Sequence, residues 1–385
     1  MSRSFKVFLF ILTVLLIFPA ISLFKWTMAP KRPFQLMILN KTVPSLKMHN
    51  HRSFHWVLNH EKYVKSNTKP YSYKKDYFGF VPLKPFRDRQ YEIRRIRLED
   101  IMDMVNEYDA AYFIDTYGVY FNDWYQGRST DRRSRKIYGG LNNNDFLFLK
   151  EMTKRKKLII AEYSFIGYPT NDLERNKVED LIDMHWTGWT GKYFKSLNNN
   201  ENEELPGWVV DLYNKQNDLP WDFKDGGIVL VDQQDEIVVL ENKTHLDFEV
   251  PYIYTDREAM DEYGLPYQLS YTGWFDIVLP GKNDVLATYK IHTNEMGDSL
   301  LSRHFIPSEF PAVIQSPNGN PYFYFCGDFS NNLVAPYTAY FENVENIADN
   351  IFFSKKPTDK REFFWCYYRP LISGILNKYA PPAKK

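Results

Sequence analysis

The chain of 385 residues contains only two cysteines and eight histidines. Cys326 and Cys366 could pair in an oxidising compartment, but one pair is not the framework of a small disulfide-stapled domain. Two buried free thiols are an equally good interpretation of this pair. The spacing of the cysteines and histidines matches no zinc motif, and we therefore predict no metal site.

The sequence also lacks net charge, because 48 lysines and arginines balance 48 aspartates and glutamates. A neutral chain has no bulk electrostatic attraction to polyanions. The basic run at Arg94–Arg97 is not interleaved with aromatic residues, as a surface for single-stranded nucleic acid would be. We therefore expect no nucleic-acid partner.

Features of disorder and of repeats are absent as well. Hydrophobic residues make up 44% of the chain and aromatic residues 17%, whereas disordered segments are poor in aromatic residues. No internal repeat is present. The length is enough for one large domain or two, each with a core of its own.

One long apolar run is present near the N-terminus. Val7–Phe24 contains no charged residue, follows Arg3 and Lys6, and ends at Lys25–Trp26. A helix needs roughly 20 apolar residues to cross a bilayer. The run therefore predicts a single transmembrane helix that acts as a signal anchor.

The predicted anchor covers residues 7–26, after a cytosolic segment of residues 1–6 and before a short tether of residues 27–33. A basic N-terminus favours placing the folded part in the periplasm or the extracellular space. The alternative is a cleaved signal peptide, whose apolar core is usually about 7–15 residues long and precedes a small-x-small site. Ala20 and Ser22 lie inside the run and make a poor site, which favours the uncleaved anchor.

The next part of the chain alternates between two hydrophobic patterns. Continuous apolar runs are typical of buried strands, and a period of three to four residues is typical of helices. The predicted strands are residues 34–40, 77–83, 110–114 and 158–161, and the predicted helices are residues 51–65, 98–106, 144–153 and 172–184. This alternation predicts an α/β fold with a mainly parallel sheet flanked by helices.

The second half of the chain is predicted to be rich in β structure. Turn residues separate short apolar runs at residues 227–231, 236–240, 274–279, 285–290, 312–315 and 321–326. Residues 347–351 and 361–379 are predicted to be helical, with Pro370 kinking or restarting the second helix. We expect one globular domain over residues 34–340 and a helical extension over residues 341–385 packed on it.

Polar residues follow the predicted strands, and ligands bind at the carboxyl ends of strands in open α/β sheets. Glu162 and Asp115 lie at such ends and are candidates for general acid–base catalysis. The candidate ligand-binding residues at strand ends are Lys41, Tyr117, Ser164 and Asp328. A carboxylate just after a strand often caps the next helix or binds a loop backbone, and this alternative remains open for each acid.

Two further segments supply candidate site residues. Histidines cluster around the first predicted helix, and His55 is predicted to assist the acid–base pair, although a half-buried core histidine is an ordinary alternative. Residues 185–191, HWTGWTG, fit neither helix nor strand periodicity and are predicted to form a loop. Trp186 and Trp189 in this loop could stack on a sugar ring or fill the core beneath it.

Three segments carry a resemblance to a known family. They are FQLMILN, KLIIAEYSFIGYPTNDLERN and FPAVIQSPNGNPYFYFCGDFSNN. In their order along the chain they resemble the class I glutamine amidotransferase-like domains, a group that includes the trehalose-utilisation-type domains. The resemblance covers most of the chain after the anchor and implies a flavodoxin-like or amidotransferase-like arrangement of the sheet.

The resemblance also implies a departure in mechanism. True amidotransferases carry a cysteine nucleophile in a glycine-rich elbow after a central strand, whereas the matching turn here contains Ser164 and no cysteine. A serine nucleophile would need a nearby base from His185, His245 or His304. Glutamine hydrolysis is therefore not expected, and the resemblance suggests a ligand-binding module instead.

These observations lead to a functional hypothesis. We expect a membrane-anchored exoplasmic protein that binds or processes cell-envelope carbohydrate. The alternative is a non-enzymatic scaffold or ligand-binding subunit of an envelope complex. A (β/α)-barrel glycosidase is a structural alternative, against which the hairpins of the second half argue. The reaction, the cofactor and the oligomeric state remain open.

Overall fold

The structure is a computed structural model of the chain. It describes residues 3–47, 49–127, 133–317 and 320–381. Residues 1–2 of the predicted cytosolic segment lie outside the described residues, and for residues 3–4, 6–12 and 14–16 the structure describes the helix but not the side chains.

The described residues form eleven α-helices and eighteen strands. The helices are α1 Arg3–Met28, α2 His49–His60, α3 Ile101–Glu107, α4 Asn143–Lys154, α5 Asp172–Ile182, α6 Gly207–Asn217, α7 Arg257–Tyr263, α8 Glu295–Arg303, α9 Glu345–Ile351, α10 Lys360–Phe363 and α11 Arg369–Tyr379. Short 3₁₀-helices cover Phe86–Asp88, Leu98–Asp100 and Pro336–Tyr340, and π-helical turns cover Asn122–Gln126 and Phe364–Tyr368.

The strands are β1 Arg32–Pro33, β2 Leu36–Asn40, β3 Tyr63–Val64, β4 Phe78–Pro82, β5 Tyr91–Arg94, β6 Ala110–Asp115, β7 Val119–Tyr120, β8 Lys136–Tyr138, β9 Leu158–Glu162, β10 His185–Phe194, β11 Gly227–Val231, β12 Ile237–Glu241, β13 Tyr252–Thr255, β14 Gln268–Ser270, β15 Trp274–Leu279, β16 Asp284–Lys290, β17 Glu309–Gln315 and β18 Tyr322–Phe325.

A ten-stranded sheet in the order β14-β13-β16-β17-β18-β9-β6-β2-β4-β5 forms the centre of the fold. The five strands from β18 to β4 run parallel to one another. Strands β2, β6, β9 and β18 are buried along their whole length, as expected where both faces of a parallel sheet are covered. Helices α3, α4 and α5 pack as one group, and α2, α7 and α11 pack as another.

The sheet is mixed, and the prediction of a mainly parallel sheet is wrong on this point. The predicted α/β class is confirmed. Strands β13, β14, β16 and β17 of the β-rich second half join the edge of the parallel centre with antiparallel pairings, and β5 does so at the other edge. The sheet keeps two open edges, so the barrel alternative is also wrong.

A second, antiparallel sheet has the order β12-β11-β10-β15. Its strand β10 contains residues 185–191, so the prediction of a loop there is wrong. The two glycines interrupt the alternation of apolar and polar side chains that would have indicated a strand in the sequence. Gly188 has a φ of +96° in the bulged part of the strand. A Cβ at Gly191 would lie 2.4 Å from the ring of Phe275, so glycine permits the close packing of β10 on β15.

The transmembrane prediction is not confirmed. Among the residues that the structure describes, no helix combines the length and the hydropathy of a membrane span. The predicted tether is largely held in secondary structure, because α1 extends to Met28 and β1 pairs in parallel with β3.

The C-terminal helices form one nearly continuous segment. Helix α10, the π-helical turn Phe364–Tyr368 and α11 follow one another directly, and Pro370 is the second residue of α11, just after the π-helical turn. Helix α11 packs on α2 and α7. Cys326 is buried, Cys366 is partly buried, and neither forms a disulfide.

Candidate functional site

The candidate site lies at the carboxyl edge of the parallel strands. The parallel strands have the order β4-β2-β6-β9-β18 in the sheet. Strand β2, the first of them along the chain, lies between the second, β4, and the third, β6. The direction of strand succession therefore reverses between β2 and β6, and such a switch point forms the ligand crevice of doubly wound sheets. Asn40 at the end of β2 pairs with Asp115 at the end of β6, which places the two polar ends side by side.

Asp115 is the centre of the site, and the residue is 8% exposed. Its Oδ1 accepts hydrogen bonds from the Thr42 hydroxyl at 2.6 Å, the Tyr117 amide at 2.8 Å and the Ser164 hydroxyl at 3.1 Å. Its Oδ2 accepts one hydrogen bond from a described residue, the side-chain amide of Asn50 at 2.9 Å. A carboxylate oxygen has two acceptor positions, so Oδ2 retains capacity for a ligand donor.

Burial raises the pKa of Asp115 to about 6, and the hydrogen bonds from Thr42, Tyr117, Ser164 and Asn50 oppose that rise. The carboxyl group therefore changes its charge within the range of ordinary cellular pH. Perturbed carboxyl groups of this kind are common at functional sites, although structural networks also produce them.

Ser164 joins Asp115 to a second carboxylate. Its φ is +67°, a conformation that is uncommon outside glycine and that occurs often at functional sites. Its backbone amide donates to Oδ2 of Asp276 at 2.9 Å. Asp276 lies fully buried on β15 and also accepts from the hydroxyls of Tyr324 at 2.8 Å and Thr190 at 3.0 Å.

Asp276 shares the electrostatic character of Asp115. Burial raises its pKa to about 6, hydrogen bonds from Ser164, Tyr324 and Thr190 oppose the rise, and the nearby Asp115 adds to it. Two carboxyl groups that repel each other across Ser164 favour a state in which at least one holds a proton.

Aromatic side chains lie beside these carboxyl groups. The ring of Tyr117 lies 5.1 Å from that of Tyr120 and 6.3 Å from that of Tyr168, between centroids. We call these three residues the tyrosine rim. The ring of Tyr163 stacks on Trp274 at 6.0 Å, and burial together with Asp276 and Asp115 raises the pKa of its hydroxyl.

Glu162 lies two residues before Ser164 but is sealed from solvent, with 1% exposure. Its Oε1 accepts a hydrogen bond from Tyr112, and its Oε2 accepts one from the Ser330 amide at 3.1 Å. Burial raises the pKa of Glu162 well above its ordinary value, against the effect of Tyr112 and Ser330. The side chain therefore has no open path to a ligand in this structure.

The contacts of Ser330 agree with a protonated Glu162. Ser330 Oγ lies 2.9 Å from Glu162 Oε2 and 2.6 Å from the carbonyl oxygen of Asn50. One hydroxyl hydrogen cannot serve both acceptors. A protonated Glu162 donates to Ser330, and Ser330 then donates to Asn50, which satisfies all three groups.

His55 and Lys41 are also buried. Burial lowers the pKa of His55 to about 4, so the ring is neutral, and its Nδ1 lies 2.9 Å from the carbonyl oxygen of His51. Lys41 donates to Asp145 at 2.5 Å and to the carbonyl of Gly140 at 2.7 Å. The lysine thereby ties the end of β2 to the first turn of α4 and does not face the crevice.

The remaining predicted site residues lie on the second sheet and its neighbouring loop. Trp186 donates from Nε1 to the carbonyl of Trp189 at 2.9 Å, and Arg175 lies over its ring. Trp189 is buried. Asp328 accepts from the Tyr271 hydroxyl at 2.9 Å and from a backbone amide of β15 at 3.0 Å, so it braces a loop.

The structure thus brings Asp115, Tyr117 and Ser164 together and separates the other predicted residues from them. Sequence reasoning missed Thr42, Asn50 and Asp276. Asp276 had a signal, because it is the one charged residue within the apolar run Trp274–Leu279. Thr42 and Asn50 are ordinary loop and helix residues whose roles depend on tertiary contacts.

No cluster of three histidine, cysteine or acidic residues suited to a metal ion occurs among the described residues. One cavity of about 220 Å³ lies at the opposite, amino edge of the sheet, lined by Gln35, Leu36, Phe78 and Tyr108 among others. It does not include Asp115 or Ser164.

No protein-family model matches the chain, and no curated protein matches it. Solved structures that match include a ThuA-like protein from Parabacteroides merdae, with a TM-score of 0.35, 10% identity, and coverage of 77% of this chain and 79% of that one. A ThuA-like protein from Bacteroides uniformis has a TM-score of 0.32, 10% identity, and coverage of 81% and 89%. ThuA-like proteins belong to the trehalose-utilisation type that the sequence segments resemble.

A β-galactosidase from Rahnella sp. R3 also matches, with a TM-score of 0.29 and 8% identity over 71% of this chain. The chain spans 23% of the length of that enzyme. At these TM-scores, the three similarities assign neither an activity nor site residues to this chain.

Proposed function

We propose that the protein is a membrane-anchored exoplasmic module that binds a carbohydrate at the carboxyl edge of its sheet. The observation that carries the proposal is the state of Asp115. Its Oδ1 is held by three donors, one of which is the backbone amide of Tyr117 in the tyrosine rim, while Oδ2 keeps an acceptor position.

A carbohydrate suits this pairing of groups. Its hydroxyls donate to a carboxylate oxygen, and the apolar face of its ring packs on tyrosine rings. Tyr168 is largely exposed and Tyr117 half-buried, so both offer ring surface to a ligand. The other buried acid at a neighbouring strand end, Glu162, is 1% exposed and lies behind Tyr112 and Ser330, so it is closed to a ligand.

Binding without catalysis is the form of the proposal that the contacts favour. The predicted acid–base pair of Asp115 and Glu162 is split, because Glu162 is sealed behind Tyr112 and Ser330. His55 is neutral and buried. A role as a ligand-binding subunit or scaffold of an envelope complex is therefore the second candidate, and it shares the same binding site.

Binding is tested by calorimetric titration of the purified full chain in detergent with soluble oligosaccharides, β-1,4-linked N-acetylglucosamine oligomers first. We expect Asp115→Asn to weaken binding about tenfold, since one charge-assisted hydrogen bond contributes on the order of 1.4 kcal/mol. The matched control is Asp261→Asn on the exposed side of α7, which should bind like the unchanged protein. Equal affinities for both variants, or no binding by the unchanged protein, would contradict the proposal.

The membrane anchor is tested separately by extraction of cell membranes with alkaline carbonate. The apolar run Val7–Phe24 should keep the full chain in the membrane pellet. Release into the supernatant would contradict the anchor and leave the carbohydrate site untouched.

A further inference from the structure

The last turns of α1 are fastened to the folded body by one face of the helix. The Ser22 hydroxyl donates to the carbonyl of Glu342 at 2.7 Å, and the Trp26 indole N–H donates to the carbonyl of His60 at 3.2 Å. Ser22 and Trp26 are four residues apart and share this face. Lys62 completes the contact, with its Nζ 3.8 Å from the centroid of the Trp26 ring.

The same turns present an apolar stripe on another face. Ile17, Ile21, Phe24 and Met28 follow a spacing of four, three and four residues, which aligns them along the helix. All four side chains are exposed in the structure. A stripe of this kind is unfavourable in water, and its cover must come from outside the described chain.

The body carries aromatic side chains beside this helix. The ring of Tyr340 meets that of Trp26 edge to face at 5.0 Å. Tyr337 precedes it by three residues on the 3₁₀-helix Pro336–Tyr340, and side chains at this spacing lie on the same side of a 3₁₀-helix. Tyr337 is 68% exposed.

We propose that Tyr337 and Tyr340 contact the interface of a lipid bilayer that surrounds the apolar stripe of α1. This inference rests on the proposed membrane anchor and adds the orientation of the body. The body is bonded to Ser22 and Trp26, on the opposite face of the turns that carry Ile21 and Phe24. A bilayer that surrounds the helix as far as Phe24 therefore reaches the height of the two tyrosines along the helix axis. Tyrosine and tryptophan are enriched at that level of membranes, where a ring is apolar and its polar group is hydrated.

Cations near the same level favour anionic headgroups. Lys25 is exposed next to Phe24, and Lys62 lies on the ring of Trp26. Basic residues near an anionic leaflet are attracted by its negative surface potential. The bilayer at this interface therefore contains anionic lipid.

The test uses the full chain in vesicles of phosphatidylcholine and phosphatidylglycerol with nitroxide-labelled acyl chains. A fluorophore is attached to a single introduced thiol in a Cys366→Ser background, in which the remaining Cys326 is buried. The three variants are Phe24→Cys, Tyr337→Cys and the matched control Tyr267→Cys, since Tyr267 is 61% exposed beside 68% for Tyr337. Circular dichroism checks that each variant is folded.

We expect the fluorophore to be quenched by the nitroxide lipids in the Phe24→Cys and Tyr337→Cys variants and to stay bright in Tyr267→Cys. Quenching in Phe24→Cys alone would overturn the contact of the tyrosines with the bilayer and leave the anchor standing. Quenching in none of the variants would overturn both. Equal quenching in Tyr337→Cys and Tyr267→Cys would also overturn that contact, because it would show no preferred orientation.

Discussion

Two acidic clusters lie at the ends of neighbouring parallel strands, and they differ in almost every physical respect. Asp115 at the end of β6 keeps 8% exposure and an open acceptor position, whereas Glu162 at the end of β9 is 1% exposed and lies behind Tyr112 and Ser330. Asn50 touches both, with its side-chain amide on Asp115 and its backbone carbonyl on Ser330 of the Glu162 cluster. The position of an acid at a strand end therefore does not decide its role; the segments that cover it do.

The largest effect expected from this comparison is a lower free energy of unfolding when Glu162 is replaced. Glu162→Ala should lower the free energy of unfolding by about 3 kcal/mol, because it leaves a cavity and removes the hydrogen-bond partner of Tyr112 and Ser330. Glu162→Gln should cost less than Glu162→Ala, since the amide keeps the shape of a protonated carboxyl group and loses only the bond accepted from the Ser330 amide. Urea unfolding measures both. A Glu162→Gln variant as unstable as Glu162→Ala would show that the buried group is ionised.

The next effect concerns the pH dependence of stability. The pKa values of Asp115 and Asp276 are raised from 3.8 to about 6. Between these values the folded protein binds more protons than the unfolded chain, so the free energy of unfolding falls as pH rises through this window and levels off above it. Each group should account for on the order of 1–3 kcal/mol of that fall.

This effect is measured as a difference between proteins, because other carboxyl groups act in the opposite direction. Asp359, for example, has its pKa lowered by Arg361. Asp115→Asn and Asp276→Asn should each become more stable relative to the unchanged protein as pH rises across the window. A difference that stays constant with pH would mean that the folded protein ionises these groups as readily as the unfolded chain.

The smallest effect concerns the backbone at Ser164. Ser164→Gly and Ser164→Ala both lose the hydroxyl that contacts Asp115, but only glycine accepts a φ of +67° without strain. The glycine variant should therefore be more stable than the alanine variant by about 1 kcal/mol. Equal stabilities in thermal unfolding would show that the turn relaxes and that Ser164 carries no strain.

Local patterns were sufficient to predict the elements that build the parallel centre. The runs that became β2, β6 and β9 were continuous and apolar, and the polar residues at their ends included Asp115 and Ser164. These residues lie close together because neighbouring parallel strands end at the same edge of the sheet. No contact with a distant segment of the chain is needed to bring them together.

Contacts between distant segments could not be predicted in this way. Ser330 is 168 residues from Glu162 in sequence and closes that acid from solvent. The mixed character of the sheet has the same origin, since hairpins of the second half were free to form a layer of their own or to extend the first sheet. Hydrophobic patterns specify which face of a strand is buried, but not which strand pairs with it.

Asp276 has a consequence for how the protein is made. It belongs to a strand of the second sheet, yet it accepts the backbone amide of Ser164, 112 residues earlier in the chain. A ribosome has therefore released all of β2, β6 and β9 well before the partner of Ser164 emerges. The hydrogen bond that holds the backbone of Ser164 beside Asp115 can therefore form only after the second half of the chain has been synthesised.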